Sequence, residues 1–200
     1  MADRFGNDEA EIARELARTL HAAEITVLGI GNIVLRDEGF GVRVVEYLDR
    51  HYVFPEQVQL VDGGTLGIEL MQYVTDTKKL LVIDSINGGD VPGKVFRFHN
   101  DAVMEHFQDK LSAHEVGIQD VLAALSVTGR KIPEVVVIGA QPYDLEAGVE
   151  LSVDMAALLE PMAEQALKEL AAWGVVPTPR EGDIEQDLSR VAEELTRGQG

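Results

Sequence analysis

Three acidic residues stand where apolar runs end. Glu38 follows Ile25–Ile30 across a short loop, Asp62 follows Val58–Val61, and Asp84 closes Leu80–Ile83. If the runs are parallel strands of one sheet, all three carboxylates emerge at its carboxyl edge, where open α/β sheets bind ligands. A single acid at such a place most often caps a helix or sits in water. Three together repel one another unless a cation or a shared proton holds them. His114 could complete the set. It lies in Ser112-Ala113-His114-Glu115, the S-x-x-E form of a capping box. At the second position of that helix the dipole disfavours imidazolium, and a neutral imidazole can ligate a metal. Two carboxylates and one imidazole suit nickel or zinc better than magnesium. Three protein ligands leave positions open for water or a substrate atom. His21, His51, His99 and His106 have no strand-end acid beside them and read as surface residues.

Competing motifs fail on inspection. Gly29-Ile30-Gly31 begins a dinucleotide-binding G-x-G-x-x-G, but Val34 stands where the third glycine belongs, and Asp37 and Glu38 would repel a pyrophosphate. Gly88–Lys94 has Walker A spacing, yet Val95 follows the lysine and Pro92 removes a loop N–H. His114-Glu115 starts an H-E-x-x-H, but position 118 is Ile118. No G-x-S-x-G occurs. The chain has no cysteine, which excludes disulfides, thiolate metal sites, iron–sulfur clusters and a cysteine nucleophile.

The elements that must position these residues follow from periodicity. Ile25–Ile30 reads as a buried strand and Phe40–His51 as a helix with Val42, Val45 and Leu48 on its inner stripe. Val58–Val61 is a second strand, ending in a tight Asp62-Gly63-Gly64 turn with Thr65 capping a helix over about 66–74. Leu80–Ile83 is a third strand, Lys94–His99 an antiparallel edge strand, and Val135–Gly139 another buried one. Short helices are expected over about 102–107 and from Ser112 to about Leu125. Ser152 caps a helix to Glu160, and Pro161 kinks it or opens a new one running to Trp173. The alternation implies an α/β three-layer sandwich. Its mostly parallel, twisted sheet has about five strands flanked by helices, with one antiparallel edge strand. Residues 1–24 form an N-terminal extension with a short helix, 25–177 a single α/β domain, and 178–200 a polar tail with weak helical periodicity.

Two hundred residues with 46% apolar content suffice for one core. A formal charge of −18 argues against nucleic acid and anionic membranes as partners. No apolar run approaches the roughly 20 residues that span a bilayer, and the N-terminus has no secretory pattern, so the expected location is cytoplasmic.

Four stretches, GIGNIVLRDEGFGVRVVE, VDGGTLGIEL, LLVIDSI and SAHEVGIQDVLAAL, resemble the hydrogenase maturation endopeptidases in order and spacing over about Ile25 to Trp173. That family removes a C-terminal peptide from the large-subunit precursor of [NiFe] hydrogenases. The resemblance implies that Glu38, Asp84 and His114 bind metal and that Asp62 is a supporting acid near the site. It implies that nickel arrives already inserted in the precursor, as a sign of completed assembly, with Zn²⁺ or Cd²⁺ substituting in purified protein. Water is the simplest nucleophile, with Glu38 or Asp62 as the catalytic carboxylate that takes its proton; an aspartic-type dyad is the rival. Gly29, Gly31 and Asn32, together with Gly63 and Gly64, shape the turns that aim these acids. The alternative function on the same fold is a nickel-sensing chaperone that binds the large subunit without cutting it.

Overall fold

A computed structural model describes residues 23–103 and 131–180. Strand β1 (Ile25–Ile30) is buried along its whole length. It runs through a one-turn 3-10 segment, Arg36–Gly39, into helix α1 (Phe40–His51). Phe40, Val44, Val45 and Leu48 recur at helical spacing and bury one face of α1 against the sheet. Then follow β2 (Tyr52–Val53), β3 (Val58–Gly64), a 3-10 turn at Ile68–Leu70, α2 (Met71–Val74) and β4 (Lys79–Ser85). After these come β5 (Val95–His99), β6 (Glu134–Ala140), α3 (Val153–Ala156), α4 (Leu159–Ala172) and β7 (Thr178–Pro179).

The main sheet has the order β3-β1-β4-β6-β5. Its first four strands are parallel, and β5 runs antiparallel on β6 as an edge strand. Strands β1, β4 and β6 are covered on both faces, which explains their unbroken apolar runs. Edge strand β5 alternates between exposed and half-buried residues. One apolar layer joins α1, α3 and α4 to the sheet; the other holds Leu70, Val74, Ile86 and Val103 on the opposite face. The result is the expected three-layer sandwich. A second, two-stranded antiparallel sheet, β2 with β7, was not legible in the sequence and pairs Tyr52–Val53 with the first residues of the tail.

Several boundaries differ from the sequence reading. Asp62-Gly63-Gly64 belongs to β3, because pairing with β1 continues through it: Gly29 pairs with Asp62 and Ile30 with Gly64, leaving Gly63 as a bulge. Thr65 caps nothing; the following 3-10 turn has Gly67 at its N-cap, and regular helix begins only at Met71. Asp84 lies inside β4, paired with Gly139, because β6 carries the ladder to Ala140. Ser152 does cap α3, its hydroxyl accepting from the Met155 N–H. The break between α3 and α4 falls at Ala157 and Leu158. Pro161 therefore sits in the first turn of α4, where a missing N–H costs nothing. His106, the expected 102–107 helix beyond residue 103, the Ser112 capping box and His114 lie outside the described residues, as do the expected helices of the two extensions.

Glu169 of α4 is buried and takes a two-pronged bond from Arg97 of β5, Nε to Oε1 at 2.7 Å and Nη2 to Oε2 at 2.9 Å. The Arg97 hydrogen bonds, more than the opposing effect of burial, hold its carboxyl below the usual glutamate range. No helix among the described residues is long and apolar enough to cross a membrane.

Candidate functional site

Chain order in the sheet passes from β1 outward to β3 and then back across β1 to β4. The reversal opens a crevice between the carboxyl ends of β1 and β4, the place where such sheets bind ligands. The 3-10 turn carrying Glu38 packs against the end of β4, the strand that carries Asp84. The structure therefore brings the Glu38 and Asp84 segments to one crevice. Glu38 Oε2 is buried. Asp84 is 8% exposed, and its Oδ1 accepts from the Ser85 N–H at 2.7 Å.

Glycines make this approach possible. A Cβ on Gly31, whose φ is +135°, would lie 1.8 Å from the Glu38 carbonyl oxygen. A Cβ on Gly41 would lie 2.0 Å from the Ile83 carbonyl oxygen and 2.4 Å from that of Ile30, so the first turn of α1 rests on both strand ends. Gly29 has the same constraint toward Gly41. Asn32 accepts the Val34 N–H on its side chain, and the Gly31 N–H donates to the Gly64 carbonyl, joining this loop to the end of β3.

Asp37 and Glu38 are neighbours with opposite surroundings. Asp37 is fully buried and saturated. Its Oδ2 accepts from the Tyr143 and Asp144 N–H groups at 3.0 and 2.9 Å and from the Ser152 hydroxyl at 2.8 Å. Its Oδ1 accepts from the Ser152 N–H at 2.7 Å. Arg36 adopts a left-handed φ of +45°, held by its N–H on the Gly148 carbonyl and its guanidinium on Asp144. Strain of this kind persists only where surrounding bonds enforce it. Asp37 and Arg36 thus bolt the turn that carries Glu38 to the loop after β6.

Asp62 is placed differently. It is solvent-exposed, and its Oδ1 accepts from the Gly64 N–H at 2.9 Å. Strand alternation puts it on the α1 face, since Val61 belongs to the opposite layer. Asp84, two residues past Val82 of that opposite layer, shares the α2 face instead. Gly63 would carry a Cβ 2.7 Å from Leu28 Cδ1, and Gly64 has a φ of +46°.

The sequence reading gives no site role to Asp37, Arg36 or Gln141, and marks Ser152 only as a helix cap. Gln141 follows β6 and is buried; its Oε1 accepts from the Gly88 and Asp90 N–H groups, and its Nε2 donates to Asn87. It fixes the loop after β4. The strand-end rule that singled out Glu38, Asp62 and Asp84 would have found it, since β6 is the fourth parallel strand. Nothing in the pair Asp37-Glu38 says which acid turns inward.

Among the described residues no three His, Cys, Asp or Glu side chains form a metal-holding group. Glu38 and Asp84 supply two carboxylates at the crevice, a donor set that fits a divalent cation once an imidazole joins it. His114 is outside the described residues.

A family model described as hydrogenase maturation protease matches residues 42–169. The hydrogenase expression/formation protein HupM of Azotobacter chroococcum is 43% identical over 189 residues, covering 88% of this chain and 90% of that protein. The hydrogenase 2 maturation protease of Escherichia coli is 39% identical over 158 residues, 78% of this chain and 96% of that protein. The solved structure of the E. coli hydrogenase maturating endopeptidase HybD superposes with a TM-score of 0.75 at 38% identity, covering 78% of this chain and 98% of that one.

Proposed function

The chain belongs to the hydrogenase maturation protease family, and on that premise we propose that it removes the C-terminal extension of a [NiFe] hydrogenase large-subunit precursor after nickel insertion. The precursor's nickel is the feature it reads. The observation that carries this is the seating of the Glu38 turn on the end of the Asp84 strand at the sheet's switch point.

In this reading Glu38 and Asp84, with His114, engage the nickel that the client brings. The client's nickel, held there, would orient the substrate or polarise the scissile carbonyl. A carboxylate takes the proton of the attacking water. Glu38, with a buried oxygen in the crevice, is the first choice for that role. Asp62, exposed and bonded to the Gly64 amide, is the second and also fixes the turn beside it. The cytoplasm is the proposed site of action.

The test mixes the full chain with nickel-loaded and with nickel-free precursor and weighs the products by mass spectrometry. Shortening of the loaded form alone is expected. Binding of the loaded form without shortening would replace this reading with that of a nickel-sensing chaperone.

A further inference from the structure

Most of the large apolar side chains left exposed among the described residues are gathered at one edge of the sheet. Ile33 and Val34 lie on the loop after β1, Ile68 after β3, Val91 after β4, and Leu145 and Val149 after β6. Their exposure runs from 41% at Ile33 to 67% at Val91. Patches of this kind on a soluble fold mark interaction sites.

These loops form one continuous rim. The Gly31 N–H bonds the Gly64 carbonyl, the Gly148 N–H bonds the Val34 carbonyl, and the Gly93 N–H bonds the Gln141 carbonyl. The loops are thus tied to one another, and the backbones that carry the apolar side chains are set before any partner arrives. Such preorganisation lowers the ordering cost of association. The cations of the rim are already committed: Arg36 to Asp144 and Lys94 to Asp90. Glu69, Glu146 and Glu150 add negative charge around it.

We propose that this rim is a docking collar for the folded body of the client, fitting an apolar patch with a basic fringe around the client's cleavage site. The proposal rests on the peptidase reading of the crevice. Contact along the collar excludes water from the enclosed carboxylates, as the surround of an interface hot spot does, and so links correct docking to the strength of the electrostatics inside.

The test measures affinity for the folded, nickel-loaded precursor in the Glu38→Gln background, where no turnover is expected. Val34→Asp and Ile68→Asp, on two different loops, should each weaken binding at least tenfold while the melting temperature stays within a degree or two. Val176→Asp is the control. It lies beyond α4, beside the Trp173 that bonds Glu134 at the opposite edge of the sheet, and it should bind as the parent does. Glu146→Lys should weaken binding several-fold and flatten its salt dependence. Unchanged affinity in both Val34→Asp and Ile68→Asp overturns the collar, and an unchanged salt profile in Glu146→Lys overturns its basic-fringe part. Processing assays separate this from the underlying reading. A parent chain that binds precursor through the collar but never cuts it sinks the peptidase mechanism and leaves the collar standing. Rim variants that cut as fast as the parent at subsaturating precursor sink the collar and leave the mechanism standing.

Discussion

Asp37 grips Ser152 twice, accepting its backbone N–H at 2.7 Å and its hydroxyl at 2.8 Å across 115 residues of sequence. The same hydroxyl accepts from Met155 and caps α3. One buried carboxylate therefore sets both the start of a helix in the second half of the chain and the turn that presents Glu38 in the first.

Removing that grip should cost stability and activity together. Asp37→Ala leaves three part-buried N–H groups without their acceptor and should destabilise by about 3 kcal/mol or more, since hydrogen bonds to charged groups each contribute about 1.5–3 kcal/mol. Ser152→Ala loses the cap and should cost about 1–2 kcal/mol. Urea unfolding measures both. Processing by surviving folded Asp37→Ala protein should fall well beyond its folded fraction, because the Glu38 turn is no longer aimed.

Glu38→Gln and Asp84→Asn should behave in the opposite way. Each preserves shape and removes charge from the crevice, so the fold should persist by circular dichroism while precursor processing drops at least a hundredfold. Asp62→Asn should be milder, since an asparagine oxygen can still accept from the Gly64 amide. Full processing by Glu38→Gln would remove Glu38 from the chemistry.

Glycine positions separate crowding from backbone strain. Gly31→Ala places a methyl carbon 1.8 Å from the Glu38 carbonyl oxygen, and overpacking plus an unfavourable φ should cost about 3 kcal/mol or more. Gly174 also has a positive φ, +83°, but nothing lies within 4 Å of its added Cβ. Gly174→Ala should therefore cost only about 1–2 kcal/mol. Thermal melts of the two variants should differ clearly, and Gly31→Ala alone should lose processing.

Acid stability should depend on Glu169. Its folded-state pKa lies below the ordinary 4.5, because Arg97 hydrogen-bonds the carboxylate. A depressed carboxylate adds stability that is fully present above the unfolded value and is lost as pH falls through the folded one. Arg97 is half exposed, so solvent screens the pair and the contribution is about 1 kcal/mol or less. Glu169→Gln should lower the urea midpoint at pH 7 and flatten its decline below pH 4.5. Equal slopes in the two proteins would assign acid sensitivity to other carboxylates.

Much of the architecture was legible because buried parallel strands write themselves as unbroken apolar runs. Ile25–Ile30 and Phe40–His51 appear with the boundaries read from periodicity. Edge strand Val95–His99 showed its alternation. What stayed hidden depends on long-range pairing. Gly63 is a bulge only because Ile30 pairs with Gly64, and Tyr52–Val53 is a strand only because Thr178–Pro179 returns to it. The same holds at the site. Strand-end position marked Glu38, Asp62 and Asp84 alike, but faces of the sheet separate Asp62 from Asp84, and only the partners from residues 143–152 reveal that Asp37 is the anchor.

The anchoring of the Glu38 turn also has a meaning in time. A ribosome releases the amino-terminal half first, so Glu38 emerges long before Tyr143, Asp144 and Ser152, whose N–H groups hold its neighbour Asp37 in place. The carboxylate to which we assign the proton of the attacking water is encoded early, and its turn is fixed late. A nascent or truncated chain carries Glu38 without the bonds that mount its turn, and that mount is complete only when synthesis has passed Ser152.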